Sequence, residues 1–165
     1  MLKTPRSISG AILLAGVVAG TIDIGAAALI NNAGIAVILK AIASGILGNA
    51  SFKQGIEAES LGLFLQWSMS ILIAAIFVIT ASRVNMLKRQ WLAAGLAYGV
   101  VVFVVMNYVV VPLSAIGRFP HFTALRFLAN LLAMLLFGLI IAFFARAAQS
   151  NDSQVAAVES RHQNR

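Results

Sequence analysis

Ile8–Ile30 reads ISGAILLAGVVAGTIDIGAAALI, and its only charged residue is Asp23. About 20 consecutive apolar residues of helix cross the hydrocarbon core of a bilayer. The stretch is therefore long enough to span once. Three more stretches have the same character: Leu61–Ala81, Trp91–Leu113 and Thr123–Ala145. The reading is an all-α polytopic membrane protein with four transmembrane helices, a single membrane domain over residues 1–146 and a flexible polar cytoplasmic tail over 147–165. Lys3 and Arg6 before the first stretch, with Ala26-Ala27-Ala28 late in it, also have the outline of a signal peptide. The length of the apolar run and the late Asp23 favour a retained helix.

Composition agrees. Of the 165 residues, 61% are hydrophobic and 10% charged, against about 25% charged in a soluble domain. So little charge does not cover a water-facing surface, which argues against a soluble enzyme, a disordered chain and a coiled coil. The expected partner is the lipid bilayer. The net charge of +7, from 12 Lys+Arg and 5 Asp+Glu, marks orientation rather than nucleic acid, because basic residues gather on the cytoplasmic side. With the N terminus inside, Lys3, Arg6, Arg83, Lys88, Arg89, Arg146, Arg161 and Arg165 lie inside, and Lys40, Lys53, Arg118 and Arg126 outside. The short link 82–90, with Arg83, Lys88 and Arg89, is the sharpest signal, and Trp91 beside it is an interfacial anchor. Both termini are expected in the cytoplasm.

Between the first two spans, Ile35–Leu47 is apolar but 13 residues long. That is short for a crossing and predicts an interfacial or re-entrant outer helix, ended by Gly45 and Gly48 and followed by a loop over 49–55. Pro112 has no N–H to donate, so it should end or kink the third span.

The polar residues inside the spans carry the functional reading. A charge at the bilayer centre costs about 3 kcal/mol or more and usually faces a partner or a wet cavity. Asp23, Gln66, Asn107 and Asn130 lie five to seven residues from the outer ends of their helices. That places one polar group from each helix about 8–10 Å below the outer boundary. Arg126 lies nearer the surface and is the expected partner of Asp23, with Lys40 as second choice. Gly16, Gly20 and Asp23 share one helical face, as do Gly95, Gly99 and Asn107. Each glycine pair has the small-xxx-small spacing that lets helices approach closely, within one chain or in a homo-oligomer. The leading reading is a small binding or transport-related protein with an outward-facing polar pocket around Asp23 for a small molecule or ion; the alternative is a structural or assembly protein whose polar layer is only a helix clamp, and a membrane enzyme is the least supported.

Enzyme signals are lacking. There is no Cys, no nucleophile elbow and no zinc-protease motif. The two His, His121 and His162, fall outside the long apolar runs, so no metal site and no cofactor are expected. An acid–base enzyme needs paired groups within reach, and only Asp23 with Lys40 or Arg126 approaches that.

Some residue combinations are familiar. Gly20-Thr21-Ile22-Asp23, Ile42-Ala43-Ser44-Gly45-Ile46-Leu47-Gly48, Tyr98-Gly99, Met106-Asn107 and Val111-Pro112-Leu113-Ser114 together resemble a functionally uncharacterised family of small four-span bacterial inner-membrane proteins. The resemblance covers most of the chain up to the fourth span. It implies a fold and a location, not an activity. It also implies a Leu-His pair where this chain has Leu65-Gln66; an amide does not titrate in the range where His does.

Overall fold

The computed structural model describes residues 8–117 and 123–163. Lys3, Arg6, Arg118, His121 and Arg165 lie outside them. The described residues form helices joined by short links: α1 Ile8–Asn31, α2 Ile35–Leu47, α3 Ile56–Arg83, α4 Trp91–Leu113 and α5 Ala124–Gln163. A 3-10 helix, Gly48–Lys53, continues α2, and a single turn, Asn85–Arg89, joins α3 to α4.

Local chemistry sets the ends. Asn32 takes the left-handed conformation at φ 49°, and the Ala33 N–H reaches back to the Ala28 carbonyl at 3.0 Å. This is the turn that commonly stops a helix, and it reverses the chain into α2. Gly48, at φ 60°, closes α2 by donating its N–H to the Ser44 carbonyl. Gly45 does not end α2 but lies within it, and the expected loop after Gly48 is instead the 3-10 helix. In α4 the turn Met106–Val110 is π-helical, with the Val111 N–H bonded to Met106 O. Pro112 stands just beyond. Its ring would crowd the Tyr108 carbonyl four residues back, and the wider turn gives it room. The helix then stops at Leu113.

Five helical segments are long and apolar enough to cross a membrane: Ile8–Asn31, Ile35–Lys53, Ile56–Arg83, Trp91–Leu113 and Ala124–Ala148. The second was not expected among them. α2 alone is 13 residues, but the 3-10 helix lengthens the run to 19. α5 also exceeds its expected span, running for 40 residues to Gln163. Of the stretch expected as a flexible tail, residues 147–163 are helical in continuation of α5.

α1 packs against α3 and α5, and α4 packs against α5. Small residues make up much of the interior, beside Phe77, Val78, Phe137 and Ile141. Ala11, Ala15, Ala19, Ala43, Ala58 and Ala74 have no exposed surface. Large apolar side chains point outward, with Leu29 85%, Leu125 77% and Phe64 66% exposed. In water such a surface would drive association. In lipid it is the solvated face, and small interior residues let helix backbones approach. The architecture is that of a multi-pass membrane protein.

α2 sits at one end of the bundle. Leu39 packs against Gly62 of α3, Lys40 pairs with Glu59 of α3 at 3.4 Å, and the Gly45 carbonyl accepts the Ala115 N–H at 2.8 Å. The opposite end holds the α3–α4 link and the Arg146 guanidinium, 5.2 Å from the Trp91 ring centroid.

Candidate functional site

The α1–α3 contact begins with its glycines. A Cβ on Gly16 would lie 2.5 Å from Ile71 Cα, and one on Gly20 would lie 2.6 Å from Ser70 Oγ. Without those methyl groups the two backbones come close enough for the next turn to join side chain to side chain. There Gln66 Nε2 donates to Asp23 Oδ2 at 2.8 Å. Beside it Trp67 Nε1 donates to Thr21 Oγ1 at 3.2 Å. The glycine stripe and the acidic residue thus act together on one interface.

A cavity of about 20 Å³ adjoins the pair. Asp23, Gln66 and Ser70 supply its polar wall, and Val102, Met106, Met134 and Phe137 its apolar one. A volume of roughly 10–15 Å³ on this measure admits a single water, whereas pockets for small organic ligands measure about 300–1,000 Å³. A space of this size matches a single water.

The expected partners of Asp23 lie elsewhere. Arg126 is exposed, and its backbone N–H donates to Thr123 Oγ1 at 3.4 Å. Lys40 is joined to Glu59. The expected Asp23–Arg126 and Asp23–Lys40 pairs are therefore both replaced by Asp23–Gln66. One physical reason is position: Arg126 is in the first turn of α5, nearer the end of the bundle, where a guanidinium stays solvated. Lys40 on α2 meets the first turn of α3, where Glu59 is available. Asn107 is buried, but its amide Nδ2 donates to Phe103 O on its own helix at 2.9 Å. Asn130 is half-buried, and neither asparagine lines the cavity. The polar layer expected across four helices is one interhelical pair, with the other groups distributed around it.

Gly95 and Gly99 serve the α4–α5 contact. A Cβ on Gly99 would lie 2.5 Å from Met134 O and 2.8 Å from Leu135 Cα; one on Gly95 would lie 2.9 Å from Ala142 Cβ. Both glycine pairs are thus filled from within the chain. Sequence reasoning missed two further glycines. Gly138 faces Gly95 and Gly99 from α5, where a Cβ would run into Gly95 O, and Gly62 holds the Leu39 carbonyl of α2. A lone glycine among Leu and Phe in Leu135–Ile140 was the available signal for the first. Tyr98 was also missed as a bridge: its hydroxyl donates to Ile73 O of α3 at 2.7 Å. No group of three or more His, Cys, Asp or Glu able to hold a metal occurs among the described residues. Comparison with known protein families, curated proteins and solved structures finds no match for the chain.

Proposed function

We propose that the chain is a four-span integral protein of the bacterial inner membrane, with both termini cytoplasmic, and that Asp23–Gln66 is an interhelical clamp in a structural or assembly protein. The observation that carries this is the direct 2.8 Å bond from Gln66 to Asp23 over a cavity of about 20 Å³, which leaves no room for an organic ligand. Four crossings are favoured over five by where α2 begins and ends. α1 and α3 are antiparallel neighbours, with Gly16 against Ile71 and Asp23 against Gln66. This supports the reading that Ile35–Lys53 leaves and returns at one end of the bundle without a net crossing. The basic link of Arg83, Lys88 and Arg89 supports a cytoplasmic position for the other end. The bacterial inner membrane is what the family resemblance implies, and no enzymatic role is proposed.

A second reading, a binding or transport-related protein built on Asp23, is favoured by one feature. The cavity brings a carboxyl, an amide and the Ser70 hydroxyl around a space of one water's size. Its cargo would be a proton or a water-sized species.

Asp23→Asn separates the two. Asparagine still offers an oxygen to Gln66 and removes the ionisable group. The clamp predicts normal membrane-inserted yield and full complementation of a deletion phenotype. A folded Asp23→Asn protein that fails to complement would establish the second reading.

A further inference from the structure

A cleft of about 430 Å³ separates α3 from α4 near the end of the bundle that carries their link. Ile76, Phe77 and Thr80 form one wall and Ala93 and Ala97 the other, with Gln90 at the link. Its origin is in the packing. α3 is committed to α1, and α4 is drawn onto α5 by Gly95 and Gly99. Deeper in, Tyr98 closes the gap with its bond to Ile73 O and its ring 4.9 Å from that of Phe77. Nearer the link, the methyl groups of Ala93 and Ala97 leave the space open. The Thr80 hydroxyl is turned back onto Ile76 O at 2.7 Å, so the α3 wall is apolar in character.

The described charged residues of the link beside this cleft are basic. The link that lines it through Met86, Leu87 and Gln90 also carries Arg83, Lys88 and Arg89, and Arg83 and Arg89 are exposed. The sequence has no acidic residue between Glu59 and Asp152. An apolar slot within the range of ligand pockets, opening beside a basic cluster at a helix end, matches an amphiphile with an acyl chain and an anionic head. Basic sites between helices at the membrane surface recognise anionic lipid head groups in this way.

We propose that the α3–α4 cleft is a binding site for an anionic phospholipid, one acyl chain lying between Ile76, Phe77 and Ala97 and the phosphate meeting the exposed Arg83 and Arg89. The proposal rests on the membrane reading of the bundle but not on any role for Asp23, so the two can fail separately.

Native mass spectrometry of the full chain released from nanodiscs tests it, with phosphatidylglycerol and phosphatidylcholine of matched chains at equal amounts. The wild type should retain phosphatidylglycerol at least about tenfold over phosphatidylcholine, since each basic residue near a charged lipid contributes roughly a factor of five. Arg83→Gln with Arg89→Gln should bring the two lipids near parity while retention of phosphatidylcholine is unchanged. The charge change also alters an orientation signal, so a second variant is needed. Ala93→Leu with Ala97→Leu fills the slot from positions that are exposed and should abolish retention of either lipid while leaving thermal stability intact. Equal retention of both lipids by the wild type overturns the proposal. So does a preference that survives both pairs of substitutions. An Ala93→Cys variant that forms a disulfide-linked dimer in dilute nanodiscs would show a second copy occupying the slot and would also overturn it. The native chain has no Cys to confuse that result.

Discussion

Replacing Gln66 by Leu removes the donor that meets Asp23 Oδ2 at 2.8 Å and leaves a half-buried carboxyl against Val102, Met106 and Phe137. Two costs follow. An interhelical hydrogen bond in a membrane protein contributes about 0.6 kcal/mol on average and up to about 1.7. Leaving a buried polar partner unsatisfied adds about 1–3 kcal/mol. Gln66→Leu should therefore destabilise by about 2 kcal/mol. Asp23→Asn retains an acceptor and should cost less than about 1 kcal/mol. Asp23→Leu combined with Gln66→Leu takes away both polar groups, a change that is often close to neutral when the shape is kept. The double variant should then be more stable than the sum of the single losses by about 1–2 kcal/mol, the range expected for residues in direct contact. Unfolding in mixed micelles of mild and denaturing detergent, followed by Trp fluorescence, measures all four corners of the cycle. Additivity within about 0.5 kcal/mol would mean that the bond carries no energy and would refute the clamp. Arg126→Gln supplies the control. It should show no coupling to Asp23→Asn, and coupling above about 0.5 kcal/mol would restore the ion pair that the structure replaces.

The other expectations are simpler. Gly99→Ala should destabilise by about 1–3 kcal/mol in the same assay, because its Cβ would meet Met134 O at 2.5 Å and backbone does not swing aside. Gly25→Ala, with nothing within 4 Å, should be neutral or stabilising by up to about 1 kcal/mol from helix propensity. Equal effects at the two sites would remove the packing argument. Lys40→Gln should cost no more than about 1 kcal/mol, since the Lys40–Glu59 pair is 22% and 30% exposed and such pairs are weak; a larger loss would make it the main anchor of α2. For topology, a thiol introduced as Asn49→Cys should be labelled by an impermeant reagent from outside intact cells, and Asn85→Cys only after permeabilisation. The reverse pattern would invert the orientation, and outside labelling of both would break the four-span reading.

Four of the five long apolar segments were legible because they depend on composition and length alone; the fifth was hidden because only the 3-10 helix lengthens α2 to 19 residues. Trp91–Leu113 starts and ends where the sequence reading placed it, since Pro112 and the polar Ser114 mark the stop. The α1 face of Gly16, Gly20 and Asp23 was legible from helical periodicity, which holds whatever helix packs against it. The helical continuation to Gln163 is not visible in a polar composition, because a helix already nucleated extends at low cost, each added residue gaining a bond once the first turn exists.

Partner choice was beyond the sequence because opposite charge is a poor guide where solvent differs with depth. Asp23 and Arg126 are the two charged residues of the expected spans, so Coulomb attraction alone would join them. Bringing the guanidinium inward would strip its hydration for a single contact, and desolvation of a buried pair can exceed the attraction it gains. The structure keeps Arg126 exposed in the first turn of α5 and gives Asp23 a neutral amide from the helix already held against it by Gly16 and Gly20. Gln66 needs little reorganisation to reach the carboxyl, since backbone approach has placed it there. In this bundle small residues decide which helices meet, and the polar bond follows from that contact. Gly20→Leu should then abolish the coupling between Asp23 and Gln66 while leaving both residues in place. If the coupling persists with the helices forced apart at Gly20, the polar pair is holding the contact and the order of cause is reversed.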